Sequence, residues 1–154
     1  MNDRDLYSAV GRVWGPAHYT APLLRDIAAQ AAEADQSRSV SAALIARIKH
    51  NDVMRLSGSP EIGGLNERVL TIANELRAVA ARCTSTAWCL WNHLCTFHHF
   101  AGLLGPSRRD FLSHIVRSHE WVCFPAGASS DVAATIDGDI AQLSGVAAFG
   151  SGAR

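Results

Sequence analysis

Three histidines and two cysteines crowd one short stretch of the chain: Cys89, His93, Cys95, His98 and His99. Cys89 and His93 lie four residues apart, as do Cys95 and His99, so each pair can share a helix face. Thiolate and imidazole on one face are what a zinc site uses. The two pairs point in different directions around the helix, their neighbours are Trp and Phe, and no second cluster completes four ligands. The stretch therefore predicts buried thiols acting as small hydrophobes, with no metal site. His93, read from the residues alone, is a core histidine bonded to a backbone carbonyl. Gly63-Gly64 follows no strand and has neither Walker nor G-x-G-x-x-G spacing, so it predicts a loop with positive φ angles and no phosphate cradle. Arg108-Arg109 reads as a solvated helix start, and no nucleophile elbow supports Ser-His-Asp chemistry.

These residues need elements to position them. Residues 1–21 read as an irregular arm, with Trp14 and Tyr19 able to dock it. Leu23, Leu24, Ile27, Ala28 and Ala31 predict a first helix from Leu23 to about Ala34. Ser39 or Ser41 can cap a second, which runs to about Leu56 and stops at Ser57-Gly58-Ser59-Pro60. A third runs from about Asn66 to Arg82 with an apolar stripe of Leu65, Val69, Ile72, Ala73, Leu76, Val79 and Ala80. A fourth, capped near Thr84 to Thr86, reaches Leu104. It is apolar nearly all round and so predicts burial among other helices. Gly105-Pro106 ends it, and Ser107 can cap a fifth whose inner face is Phe111, Leu112, Ile115 and Val116. Trp121 to Phe124 then reads as a short buried strand. Asp137-Gly138 between Val132–Ile136 and Ile140–Leu143 is a hairpin signal, and Val146 to Phe149 can start a further strand. The fold class is mainly α: about five helices followed by a short, incomplete antiparallel β segment.

Composition narrows the function classes. The 154 residues are 48% hydrophobic and 18% charged, which suits a packed domain and excludes a disordered chain. Lys plus Arg equals Asp plus Glu at 14 each, so no overall field draws the chain to nucleic acid or an anionic membrane. No apolar run is long enough to span a bilayer, and Met1 to Tyr7 is unlike a secretory signal. The four cysteines do not suggest a disulfide framework, and a reducing cytoplasm fits them.

The order of elements and several local words resemble one family. Pro60-Glu61-Ile62-Gly63-Gly64 is similar to a Pro-x-x-x-Gly-Gly loop between helices. Cys83-Thr84-Ser85-Thr86-Ala87-Trp88 is similar to the small-residue-plus-Trp start of a buried helix. Asp137-Gly138 through Leu143-Ser144-Gly145, followed by Phe149-Gly150-Ser151-Gly152, completes the set. Together, over residues 22–154, they resemble the N-terminal portion of the acyl-CoA dehydrogenase superfamily of flavoenzymes. Ser85 to Trp88 and Phe149 to Gly152 lean toward its flavin-dependent monooxygenase branch. Phe124 to Asp131 lacks the Thr-Glu pair that true acyl-CoA dehydrogenases carry.

The resemblance implies an arm over 1–21, a helical N-terminal domain over 22–120, and the beginning of a middle β-domain over 121–154. It implies a flavin-dependent oxidoreductase that takes FAD or FMN, with Phe149 beside the ring and Ser151 near flavin N5. It places His93 on the substrate side, where an imidazole can bond or deprotonate a phenol. The family's remaining strands and C-terminal helical bundle have no counterpart here. The expectation is therefore an inactive fragment that binds flavin weakly or not at all unless a complementing chain or a second copy completes it. A monooxygenase would also need a supplier of reduced flavin. The alternative from a different class is a helical scaffold acting through a partner chain.

Overall fold

The computed structural model describes residues 14–124 and 131–147. Among them lie five α-helices and one two-stranded antiparallel sheet. The helices are α1 (Leu24–Ser37), α2 (Ala42–Lys49), α3 (Val69–Ala80), α4 (Thr84–Leu104) and α5 (Arg109–Arg117). The strands are β1 (Asp131–Asp137) and β2 (Ile140–Val146). The mainly-α reading with a short β segment holds.

Local chemistry explains most boundaries. Ser41 caps α2 by accepting from Leu44 N–H. The second helix is shorter than its sequence predicts. It stops at Lys49 because Asn51 turns its side-chain oxygen onto Val53 N–H, opening a separate 3₁₀ turn over Asp52–Arg55. The third helix also begins late, at Val69. Leu65, Asn66 and Glu67 instead donate their amides to Arg55, Gly58 and Leu56 carbonyls, tying two loop segments together. Ser107 does not cap α5. It sits inside a 3₁₀ turn, Pro106–Arg108, and its hydroxyl donates to Leu104 O.

Two core clusters result. The larger joins Leu23, Ile27, Leu44, Ile48, Val79 and Leu90 with others from the same elements; the smaller holds Ile62, Phe97, Leu112 and Ile115. Helix α4 spans both, with Leu90 and Leu94 in the first and Phe97 in the second. It is not buried all round, however: Trp88 is 57% exposed, and the Trp91 ring meets it at 5.0 Å, tilted by 33°. Val69 and Phe111 are likewise exposed despite their places on predicted inner faces. Of the two adjacent glycines, Gly63 has φ +88°, whereas Gly64 has no positive φ. A Cβ on Gly64 would overlap the Gly58 backbone, so close approach is what selects glycine there.

The described part of the arm, residues 14–20, is docked by more than its aromatic rings. Glu75 on α3 is wholly buried, and its carboxylate accepts from His18, Tyr19 and Thr20 amides and from the Thr20 hydroxyl. Asn74 accepts from Gly15 N–H, Arg77 donates to Gly15 O, and the Arg77 guanidinium lies over Trp14.

Candidate functional site

The densest buried polar arrangement stands where α4 meets the extended segment Trp121 to Phe124. Helical geometry makes it possible, because adjacent residues on a helix point about 100° apart. Asn92 and His93 can thus grip different backbone atoms of one passing strand. Val122 N–H donates to His93 Nδ1 at 3.1 Å. Two residues on, Phe124 N–H donates to Asn92 Oδ1 at 3.2 Å, and Asn92 Nδ2 donates back to Phe124 O at 3.5 Å. The segment predicted as a strand, Trp121 to Phe124, is thus not one: its amides pair with α4 side chains, and among the described residues it joins no sheet. Thr96, one turn on, donates to Asn92 O at 2.7 Å, and its hydroxyl also lies 3.4 Å from Asn92 Oδ1.

His93 is 2% exposed, and its second nitrogen is also engaged: Nε2 lies 2.8 Å from Met54 O. The Val122 amide supplies Nδ1 with a donor, so Nδ1 accepts and Nε2 carries the proton. That fixes one neutral tautomer. Burial holds the imidazole below its ordinary titration range, while the Met54 carbonyl pulls the other way by accepting from it. Protonating Nδ1 would also require displacing the Val122 amide. The ring stacks on Phe97 (6.1 Å, 4° between planes) and meets Trp121 at 5.6 Å. In this arrangement neither nitrogen is open to a substrate. The ring's work here is to join the 3₁₀ turn after α2 to the segment after α5.

Beside it is a cleft of about 40 Å³, lined in part by Met54, His93, Phe97, Ile115, His50 and His119. That volume suits a water or two, and it falls well short of the several hundred Å³ typical of a small-molecule site. A flavin ring does not fit there. Phe149 and Ser151, the flavin-side positions of the sequence reading, lie outside the described residues.

The other candidates separate. All four cysteines are free thiols. Burial pushes the Cys89 and Cys95 thiols up, and Cys89 feels Cys83 and Cys123 as well, so both favour the protonated form. His98 and His99 are exposed, their rings meeting edge to face at 6.4 Å. Among the described residues no three His, Cys, Asp or Glu side chains gather as a metal would need. Arg109 of α5 pairs with Glu61, and both are largely exposed. Asn92, Thr96 and Glu75 did not stand out in the sequence. The signal for the first two was a polar pair at i, i+4 inside an otherwise apolar helix.

No protein-family model and no curated protein matches this chain. Among the described residues no helix is long and apolar enough to cross a membrane.

Proposed function

We propose that this chain is the N-terminal part of a flavin-dependent oxidoreductase of the acyl-CoA dehydrogenase fold, in the monooxygenase-like branch. It is inactive by itself and resides in the cytoplasm. FAD or FMN belongs to the assembled enzyme, completed by a complementing chain or further β-strands and a helical bundle, with another protein supplying reduced flavin.

The observation that carries this reading is the hairpin. Every residue of β1 and β2 is exposed. Their register puts Val132, Ala134 and Ile136 on one face with Gly145, Leu143 and Ala141. That face is wholly apolar, while the opposite one is mixed: Asp131, Thr135, Asp137, Gln142 and Ser144 share it with Ala133, Ile140 and Val146. Such alternation is the mark of a sheet made to pack on one side. A two-stranded hairpin is marginal alone, so this one calls for more β structure. The grip of Asn92 and His93 on residues 122–124 gives that β structure a fixed starting point. A substrate-side role for His93 requires that the Val122 amide leave Nδ1 in the assembled enzyme.

Two titrations test the reading. FAD or FMN added to the isolated chain should show no saturable fluorescence quenching at micromolar concentration; sub-micromolar binding would overturn the claim that the fragment is insufficient. Fusing the chain to the remaining strands and bundle of a monooxygenase of that superfamily should restore stoichiometric yellow binding. A folded, soluble fusion that stays colourless would overturn the oxidoreductase reading. The second reading, a helical scaffold for a partner, is favoured by the exposed Trp88–Trp91 pair. It predicts that replacing both by Ser abolishes partner capture without changing the fold.

A further inference from the structure

Helix α4 runs for 21 residues without one Lys, Arg, Asp or Glu, yet part of it faces water. Its inner sides are taken: Leu90, Leu94 and Phe97 fill the cores, and Asn92 and His93 hold residues 122–124. On the outer side Thr84, Trp88, Trp91, His98 and Gly102 are exposed, and Cys95 among them is half-buried. These six residues follow one another at steps of four, three, four, three and four. That is the a/d spacing of a seam between packed helices, and it extends for about 27 Å.

The order of side chains along the seam bears on what covers it. The bulk lies toward the N-terminal end, where the Trp88 and Trp91 rings meet at 5.0 Å. The space lies at the C-terminal end, where a Cβ added to Gly102 would meet nothing within 4 Å. Cys95 stands seven residues from Trp88 and seven from Gly102. Two α4 helices crossed antiparallel at Cys95 therefore set each Trp88 over the Gly102 of the second copy. Each Trp91 then meets His98 and His99 of the second copy. Bulk meets space twice, as a two-fold contact between identical patches requires. A parallel pair would set Trp88 against Trp88 and leave both glycines open. Charge agrees with the antiparallel pair. A seam without Lys, Arg, Asp or Glu meets itself without strong repulsion and offers a highly charged partner nothing to pair with.

We propose that this chain pairs with a second copy of itself through the outer face of α4, antiparallel, with the two-fold axis at Cys95. Such pairing does not depend on flavin chemistry, and it supplies the partner that the scaffold reading left unnamed. Trp88 and Trp91 are 57% and 37% exposed. Together they offer about 200 Å² of aromatic surface, roughly a quarter of the ~800 Å² that each side of a stable interface buries. The rest of the seam and its flanks must join in, which suits a dissociation constant on the order of micromolar.

Sedimentation velocity on the whole chain, from about 1 to 100 μM, tests this. The mass should rise from 16.5 kDa toward twice that value. Trp88→Glu and Gly102→Arg should each weaken association by about tenfold or more. Gly102→Arg is the sharper variant, because arginine is the better helix former and its site in the single chain is open. Circular dichroism confirms that both keep their helices. Mixing the two variants should then restore association to about tenfold tighter than either alone. In the mixed pair one end keeps its Trp88–Gly102 contact. At the other end the new carboxylate at position 88 faces the new guanidinium at position 102. A wild-type chain that stays at 16.5 kDa throughout would overturn the proposal and leave the face to a helical bundle or another protein. So would a wild-type dimer that Gly102→Arg leaves intact, or variants that gain nothing on mixing, because the seam or its antiparallel register would then be wrong.

Discussion

The helical region and the hairpin use similar residues to opposite effect. In the helical region Ile27, Ile48, Leu90 and Phe97 are all but sealed from water. In the hairpin Ile136 and Leu143 on the apolar face, and Ile140 and Val146 on the mixed one, are each about 70% exposed or more. Both carry the periodicity proper to their element. What differs is the supply of covering surface: among the described residues five helices meet one another, whereas the two strands pair only with each other. An amphipathic pattern specifies a face, and only another element can bury it. The helical part is a finished core, and the hairpin is a prepared surface.

The largest effect that sharpens this contrast should come from Phe97→Ala. It removes a ring that is 1% exposed, fills the smaller core and stacks on His93. We expect a loss of about 3–5 kcal/mol, read as a lowered urea midpoint. His93→Leu should follow, at roughly 2–3 kcal/mol, because the Met54 carbonyl and Val122 amide lose their partners while the volume is largely kept. Glu75→Gln is next, at about 1–3 kcal/mol. One of the carboxylate oxygens becomes an amide NH2 that faces donors on residues 18–20. Exchange of the Thr20 amide should speed up with it. At the small end, Ile136→Lys on the hairpin should leave the urea midpoint unchanged within about 0.5 kcal/mol. A large loss there would break the contrast, since it would mean that the apolar face is already covered.

Acid should act on the same junction. Folding holds the His93 imidazole below its ordinary value near 6.5, so the unfolded chain binds that proton more readily. The resulting stability is fully present above about pH 6.5 and is lost as pH falls from there toward the depressed folded value. Denaturation midpoints at pH 7.5 and 5 should therefore differ more in the wild type than in His93→Leu, although the variant is weaker at both. Equal slopes would mean that His93 is not held neutral by the fold.

Much of this was legible in the sequence because it is local. Gly105-Pro106 ends α4, Ser41 caps α2, and Asp137-Gly138 marks the hairpin turn, where Gly138 takes φ +57°. What was not legible depends on residues far apart in the chain. Asn51 breaks the second helix, and its side-chain amide NH2 donates to Tyr19 O, 32 residues away. Glu75 sits among the apolar residues of α3 because it satisfies the backbone of an arm more than fifty residues earlier. The exposure of Trp88 runs against the expectation of all-round burial, since an apolar helix surface does not tell which side neighbouring helices will cover. At the site, the sequence drew attention to His93 as chemistry. Its two backbone bonds give it a positioning role in this structure, and the neighbour that shares that role, Asn92, carried no motif.

The central claim, a sealed helical core and an exposed hairpin, is tested most directly by hydrogen exchange followed by mass spectrometry on the whole chain. Peptides from α3 and from residues 86–97 of α4 should stay protected for hours, while peptides covering 131–147 should exchange within seconds to minutes. Hairpin peptides protected as long as those of α4 would contradict it.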